Sequence, residues 1–364
     1  MRRLPFRLAI LFLLICSSVA FAQHDSSHSP NPDKPPRTSS NTTPRTAEDF
    51  YLQGEALYKE KKYREALSFY LKATELNPSL MTAWYQIGWI ENDLQDYNAA
   101  VAPLQRVIAD HPTYAGAHFE LGYSYMKLER FDDALKEFNE AIRAKPDYAG
   151  AHYEIGWIRN EQQNYNESIK ELQAAIGYKA DYPEAYNELG YALRNLDRYS
   201  EAIEKYQTAI RLNPDLGLAY LGLGDVYFYN TKQSAEAAQA YQRGLQLRPG
   251  NATAQYNLGW CYNDQERYNE ALQALTTAIQ LKSNYPEAYN ELGFALHQLK
   301  RYADAVESYK IAISQRPNFP SAHYNLGMSY LALNNRDGAL EQYQLLKQSD
   351  AARADKLFKA INPK

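Results

Sequence analysis

The chain has 364 residues, with 39 Lys and Arg against 43 Asp and Glu. The resulting charge of −4 excludes the basic footprint of a general nucleic-acid binder, and a mean hydropathy of −0.60 excludes a polytopic membrane protein. Two cysteines exclude a disulfide framework and a cysteine-based zinc site, while the 32 tyrosines are far more than a chain of this length usually carries.

The first predicted element is an export signal. Arg2, Arg3 and Arg7 form a basic start, Leu8 to Ile15 is an apolar run, and Ala20-Phe21-Ala22 has the small-x-small form of a cleavage site. The run is too short to span a bilayer as a mature helix. Residues 1–22 are expected to leave after Ala22, placing the mature chain in the periplasm or outside the cell. The alternative is a lipid anchor at Cys16, but Ile15 stands where that signal wants a small residue. Loss of the segment would remove three arginines and no acid. It would also leave Cys261 as the one thiol, read as a small apolar core residue.

Residues 23–46 are rich in Pro, Ser and Thr and hold no aliphatic or aromatic side chain beyond the polar run. They cannot bury enough apolar surface to offset ordering entropy, and are expected to be a disordered tether. His24 and His28 are read as part of a polar tail, not as a metal site. No cofactor or metal is called for anywhere in the chain.

From Ala47 a repeat begins. Glycine recurs at Gly54, Gly88, Gly122, Gly156, Gly190, Gly224, Gly259, Gly293 and Gly327, every 34 residues except 35 at one step. Four residues before it stands a bulky ring, as in Trp84, His118, His152, Tyr186 and His323. Twelve after it comes a small residue such as Ala66 or Ala134, and sixteen after it a large apolar one such as Tyr70, Leu104 or Tyr343. A proline follows 24 after it at Pro78, Pro112, Pro146, Pro214 and Pro317. At 100° per residue the positions −4, −1, 0 and +3 share one helix face. Each period therefore reads as two helices and a turn, with glycine and alanine as clearance between them. No unit can bury its faces alone, so neighbours must stack.

These registers resemble the tetratricopeptide repeat, whose pattern is W-x2-L-G-x2-Y followed by Ala, Phe and Pro. The resemblance covers residues 47–348 in nine copies. It implies an all-α, right-handed α-solenoid of nine helix-turn-helix units, with residues 349–364 as a C-terminal capping helix and tail. Leu357, Phe358 and Ile361 are the expected apolar side of that helix. Tyr63, Tyr97, Phe131, Tyr165, Tyr199, Tyr268 and Tyr302 are expected to begin the second helices as scaffold. Pro103 should kink its helix. Ala180 and Ser283 replace the proline, and Pro183 and Pro286 appear three later, suited to a first helical turn. The extra residue of the sixth unit, near Asn230 to Ser234, predicts a longer turn and a softer joint. Units four to six resemble units seven to nine, as if by block duplication.

Positions −3, +1 and +4 lie about 140° from the packing face. In the resembled family this face lines a concave groove. Here it offers Trp89, Tyr123, Trp157, Tyr191, Trp260 and Phe294 at +1, and Tyr85, Phe119, Tyr153, Asn187, Tyr256 and Asn290 at −3. Asn92, Asn160, Asn263 and His297 stand at +4. A tryptophan with an asparagine three later suits stacking and hydrogen bonding to an extended peptide, or equally to a sugar chain. Glu120, Glu154, Glu188 and Glu291 add negative charge, favouring a cationic or neutral partner over an acidic tail.

His118, His152 and His323 are packing residues by register, and no metalloprotease or phosphate-loop motif accompanies them. Gly222-Leu-Gly224 follows no strand and is not a dinucleotide loop. The expected function is therefore non-enzymatic: a scaffold that binds protein or peptide partners in its groove. A carbohydrate-binding or polysaccharide-export role is the alternative.

Overall fold

The computed structural model describes residues 46–363; the export segment, Cys16 and the tether up to residue 45 lie outside the described residues. Thr46, expected as the last tether residue, instead caps the first helix. Its hydroxyl accepts from the Asp49 N–H at 3.1 Å, and the Asp49 carboxylate accepts from the Thr46 N–H.

The described chain is helical throughout. The first three units pair α1 (Ala47–Lys59) with α2 (Tyr63–Leu76), α3 (Met81–Asp93) with α4 (Tyr97–Asp110), and α5 (Ala115–Lys127) with α6 (Phe131–Ala144). The next three pair α7 (Ala149–Glu161) with α8 (Tyr165–Tyr178), α9 (Pro183–Asn195) with α10 (Tyr199–Leu212), and α11 (Gly217–Asp225) with α12 (Ser234–Leu247). The last three pair α13 (Ala252–Asp264) with α14 (Tyr268–Leu281), α15 (Pro286–Gln298) with α16 (Tyr302–Gln315), and α17 (Pro320–Ala332) with α18 (Arg336–Ser349). The cap is α19 (Ala351–Ile361). The expected all-α solenoid of stacked pairs is what the chain forms. No described helix is long and apolar enough to cross a membrane.

The repeat glycine works by absence. A Cβ at Gly88 would lie 2.4 Å from Leu104 Cγ, at Gly122 2.8 Å from the Phe138 ring, and at Gly156 2.6 Å from Leu172 Cγ. In each case the obstructing side chain is the apolar residue sixteen later, itself fully buried. The small residue at +12 is also fully buried, from Ala66 and Ala134 to Ala305.

Each pair turns through a residue that the sequence does not advertise. Lys61, Gln95, Glu129, Gln163, Asp197, Glu266, Lys300 and Asn334 all adopt φ near +60°. The following N–H then bonds back to the residue three after the glycine, as in Lys62 to Leu57 O at 3.0 Å and Arg130 to Tyr125 O at 2.9 Å. This is the double closure of a Schellman end, made here without glycine. The second helix starts two residues after the turn, with a tyrosine or phenylalanine in seven of the nine units and with Ser234 and Arg336 in units six and nine.

Three expectations are corrected. The extra residue of unit six does not lengthen a turn: it is taken up as a π-helical stretch, Val226–Thr231, that continues α11 up to the left-handed Lys232. Val226 is fully buried within it. In unit nine the side chain nearest to the glycine is not Tyr343. A Cβ on Gly327 would strike Leu357 of α19 at 2.6 Å, so the cap supplies the side chain that the second helix supplies elsewhere. Phe358 is not on the buried side of that cap: it is 45% exposed and leans on Tyr343, while Ala354, Leu357 and Ile361 are buried. Pro103 is buried inside α4, which runs unbroken through the same 14 residues as its counterparts. Pro183 and Pro286 open α9 and α15 as expected.

Gly156→Ala should lower stability by about 1–3 kcal/mol, because Leu172 must move out of a filled site. Gly177→Ala, in α8 with nothing within 4 Å of the added carbon, should raise it by about 0.5–1 kcal/mol. Urea unfolding of the two variants checks both signs.

Candidate functional site

Neighbouring units are tied by side chains that reach backward and forward from each first helix. The ring four before the glycine holds the preceding loop. Trp84 Nε1 donates to Pro78 O at 3.0 Å, and the Nε2 atoms of His118, His152 and His323 lie 3.0–3.1 Å from the carbonyls of Pro112, Pro146 and Pro317. A carbonyl only accepts, so each Nε2 carries a proton. The other ring nitrogen then meets Glu137 at 2.7 Å in His118 and Glu171 at 2.7 Å in His152. With acceptors on both sides, these two imidazoles are satisfied only when charged. The hydrogen bond that each ring donates to Glu137 or Glu171 is the main reason that their pKa values are raised, against the opposing effect of burial. His323 faces Gln342 instead, whose amide can present either polarity.

The asparagines at +4 reach forward. Asn92 Nδ2 donates to the Glu120 carbonyl at 3.0 Å and to its carboxylate at 2.9 Å. Asn160 does the same to Glu188 at 3.1 and 3.0 Å, and Asn263 to Glu291 at 3.0 and 3.1 Å. Asn187 and Asn290 donate to the remaining carboxylate oxygen of Glu188 and Glu291, both at 3.2 Å. All five asparagines are buried. The expectation that they would offer amides to a ligand is therefore corrected: the amides of Asn92, Asn160 and Asn263 join one unit to the next, and those of Asn187 and Asn290 hold the neighbouring glutamate on their own helix. Burial is the leading cause that pushes Glu188 up to about 7, with the amide bonds pulling it down and Glu161 adding to the rise. Glu291 is raised by burial in the same way.

Ser124 completes the first of these joints, donating from Oγ toward Asn92 Oδ1 at 2.7 Å. Ala192 and Ala295 occupy the matching places of units five and eight, and there Asn160 Oδ1 and Asn263 Oδ1 are buried with no donor. Ser329 serves the last joint by bonding His297 Nδ1 at 2.8 Å. His297 is half-buried, packs edge-on to Tyr302, and has its pKa lowered by burial. It is thus a neutral strut between units eight and nine.

The aromatic stripe divides in two. At −3, Tyr85 and Phe119 are buried, not exposed to a groove. Each −3 ring meets a ring from the next loop: Tyr85 with Tyr114, Phe119 with Tyr148, Tyr153 with Tyr182 and Tyr256 with Tyr285, at 4.9–5.1 Å. Tyr153 and Tyr256 stay half-buried. At +1, Trp89, Tyr123, Trp157, Tyr191, Trp260 and Phe294 are all half-buried and keep exposed surface. The ring that starts the preceding second helix backs most of them, as Phe131 backs Trp157 at 6.3 Å and Tyr268 backs Phe294 at 6.3 Å. Trp89 and Trp260 lean on Tyr58 and Phe228 at 5.0 and 5.1 Å.

Between units five and six the pattern changes. Asp225 replaces the +1 ring, binding Arg194 at 2.8 Å and accepting from the Tyr241 hydroxyl at 2.7 Å. Cys261 is buried, and burial pushes its thiol up to about 12, which fits a core residue. Among the described residues no group of His, Cys, Asp and Glu is placed to hold a metal ion.

Sequence reasoning missed the −4 tie, although a signal was present. Rings with an N–H (Trp84, His118, His152, His323) follow a loop proline, and tyrosine stands at Tyr186 and Tyr289 where that proline is replaced.

Family models described as tetratricopeptide repeat match residues 47–80, 82–114, 119–183, 218–251 and 321–360. One described as TPR repeat matches 190–231, 261–300 and 295–334. No curated protein matches the chain. Among solved structures, that of pilF from Pseudomonas aeruginosa is 21% identical over 57% of this chain and 94% of its own, with a TM-score of 0.53. YrrB, described as a TPR protein with an unusual peptide-binding site, is 26% identical over 52% of this chain and 97% of its own, at 0.49. MamA is 25% identical over 46% of this chain and 97% of its own, at 0.43.

Two predictions follow from the joints. Ser124→Ala should cost about 1–3 kcal/mol by orphaning a buried acceptor, whereas Ala192→Ser or Ala295→Ser should gain up to about 1 kcal/mol by supplying the missing donor. Chemical unfolding of the three variants is the check.

The second concerns pH. His118, His152 and Glu188 all have folded pKa values above their unfolded ones. Their contribution is therefore present at low pH and lost as pH rises through the folded values. Glu171, lowered by His152, acts oppositely and only on the acid side. Thermal midpoints should fall between about pH 6 and 8, and Glu137→Gln with Glu171→Gln, which imitates the His323–Gln342 pair, should flatten that slope.

Proposed function

Given that the chain belongs to the tetratricopeptide repeat family, we propose that it is a non-enzymatic scaffold whose first-helix face forms a groove for an extended protein segment. The observation that carries this reading is the row of half-exposed rings at Trp89, Tyr123, Trp157, Tyr191, Trp260 and Phe294. Each is propped from behind by a neighbouring ring, so it is held in place before a partner arrives, and little ordering entropy is left to lose. The titratable groups that could suggest catalysis are spent on joints between units. The export-like segment at residues 1–22 supports a periplasmic or secreted location. The carbohydrate reading leaned on asparagine amides beside the tryptophans, and Asn92, Asn160 and Asn263 give those amides to glutamates.

The test is panning a displayed library of random peptides against the full chain. Peptides of about fifteen residues, at about 3.3 Å each, span several units. Replacing Trp89, Trp157 and Trp260 together by leucine should abolish enrichment while leaving the far-ultraviolet helical signal intact. If the variant enriches the same peptides as the unaltered chain, the groove assignment fails.

A further inference from the structure

The charge on the first-helix face bears on what a partner seated there would carry. At positions −2, +1, +4 and +5, units two to nine hold eight acids, with Lys127 and Arg194 as the bases. Lys127 lies 5.0 Å over the Tyr123 ring. Arg194 is held by Asp225, 5.5 Å from the Tyr191 ring. The face is thus more acidic than the chain as a whole, whose balance is −4.

Within it one arrangement occurs twice. Trp157, Glu161, Glu188 and Tyr191 recur as Trp260, Asp264, Glu291 and Phe294, each 103 residues on. The supporting bonds recur with them: Asn160 and Asn187 hold the first glutamate, Asn263 and Asn290 the second, with matching lengths. In both copies two neighbouring units each offer a partly exposed ring, and the asparagine three residues after the first ring holds a glutamate three residues before the second. No described basic side chain forms an ion pair with Glu161, Glu188, Asp264 or Glu291. Neutral amides fix the direction of these carboxylates without neutralising them, and Glu161 and Glu188 also repel each other. A ring pair beside an uncompensated carboxylate suits the ammonium of lysine or the guanidinium of arginine, through stacking and charge together.

Resting on the groove reading, we propose that the face selects an extended protein segment by two basic side chains. One lies between Trp157 and Tyr191 against Glu161 and Glu188, and the other between Trp260 and Phe294 against Asp264 and Glu291. First helices of successive units pack about 10 Å apart. Three units therefore separate the two places by about 30 Å, which about nine extended residues bridge. Tethering two modest contacts on one chain raises the affinity well above that of either alone.

The experiment uses the same panning, read for composition, followed by a synthetic peptide with two lysines about nine residues apart in a Gly/Ser/Thr background. Enriched peptides should be rich in Lys and Arg at about that separation. The dilysine peptide should bind the full chain at least about tenfold tighter than its acetyl-lysine counterpart. Glu161→Gln with Asp264→Asn, both at exposed positions, should remove most of that difference without touching the joints. Binding should also strengthen from pH 6 to 8 as Glu188 ionises, and Glu188→Gln should weaken that trend. Tryptophan-dependent peptides that are neutral or acidic would overturn this inference and leave the groove reading standing. Peptides that ignore the tryptophans, or none at all, would overturn both.

Discussion

Everything in this solenoid depends on the contact between a first-helix glycine and the side chain sixteen residues later. The Cβ that is missing from Gly88 or Gly156 would sit inside the volume of Leu104 or Leu172. Helix pairs therefore close to a distance that no other residue permits, and the apolar side chain at +16 is sealed without a cavity. That closeness sets the positions of the registers on either side. It brings the −4 ring over the preceding loop, and the +4 side chain against the next unit. In unit nine the nearest side chain to the glycine comes instead from α19, as Leu357.

A stack of such pairs could still slide, because apolar contact is not directional. The polar ties remove that freedom. His and Trp rings at −4 fasten the loop behind, and Asn, Arg and His side chains at +4 fasten the unit ahead. Each tie spans one boundary, as expected of an array whose stability is a sum over neighbours. The ties also differ in chemistry. Asn92 finds a serine, Arg194 finds an aspartate, and His297 finds a serine, whereas Asn160 and Asn263 leave one oxygen unsatisfied. Those last two joints are the ones that recur 103 residues apart, so the incomplete joint recurs together with the rings around it.

The helices, their order and the nine-fold repeat were legible because glycine, alanine and proline report backbone clearance, and clearance leaves a residue-level mark. The turns were not. Lys61, Gln95 and Glu129 take a left-handed conformation that their side chains give no hint of, because closure of the turn by two hydrogen bonds outweighs a local cost of about 1 kcal/mol. The insertion in unit six was visible, but its placement was not. Widening one helical turn keeps the buried face of Val226 in register, which an extended turn need not do. The site was half legible. Register identified which residues share the first-helix face, but it could not separate Trp157, which keeps exposed surface, from Phe119, which a ring of the next loop covers. That distinction lies in the following unit, and a single helix pattern does not contain it.

The division of labour on that face has a physical logic. An asparagine amide beside an exposed ring would suit many ligands, but here it is committed to a glutamate of the next unit. The glutamate gains two donors and loses water, and its proton affinity rises. A carboxylate in that condition contributes little to holding the solenoid together once it is charged, because burial works against its charge and no cation among the described residues pairs with it. Its retention in two copies is costly for stability alone, since a glutamine would accept the same amide bond without the desolvated charge. The cost is recovered if a cation arrives from outside. The joint between units and the surface offered to a partner are then one structure: the asparagine that locks the stack also fixes the carboxylate that such a cation would meet.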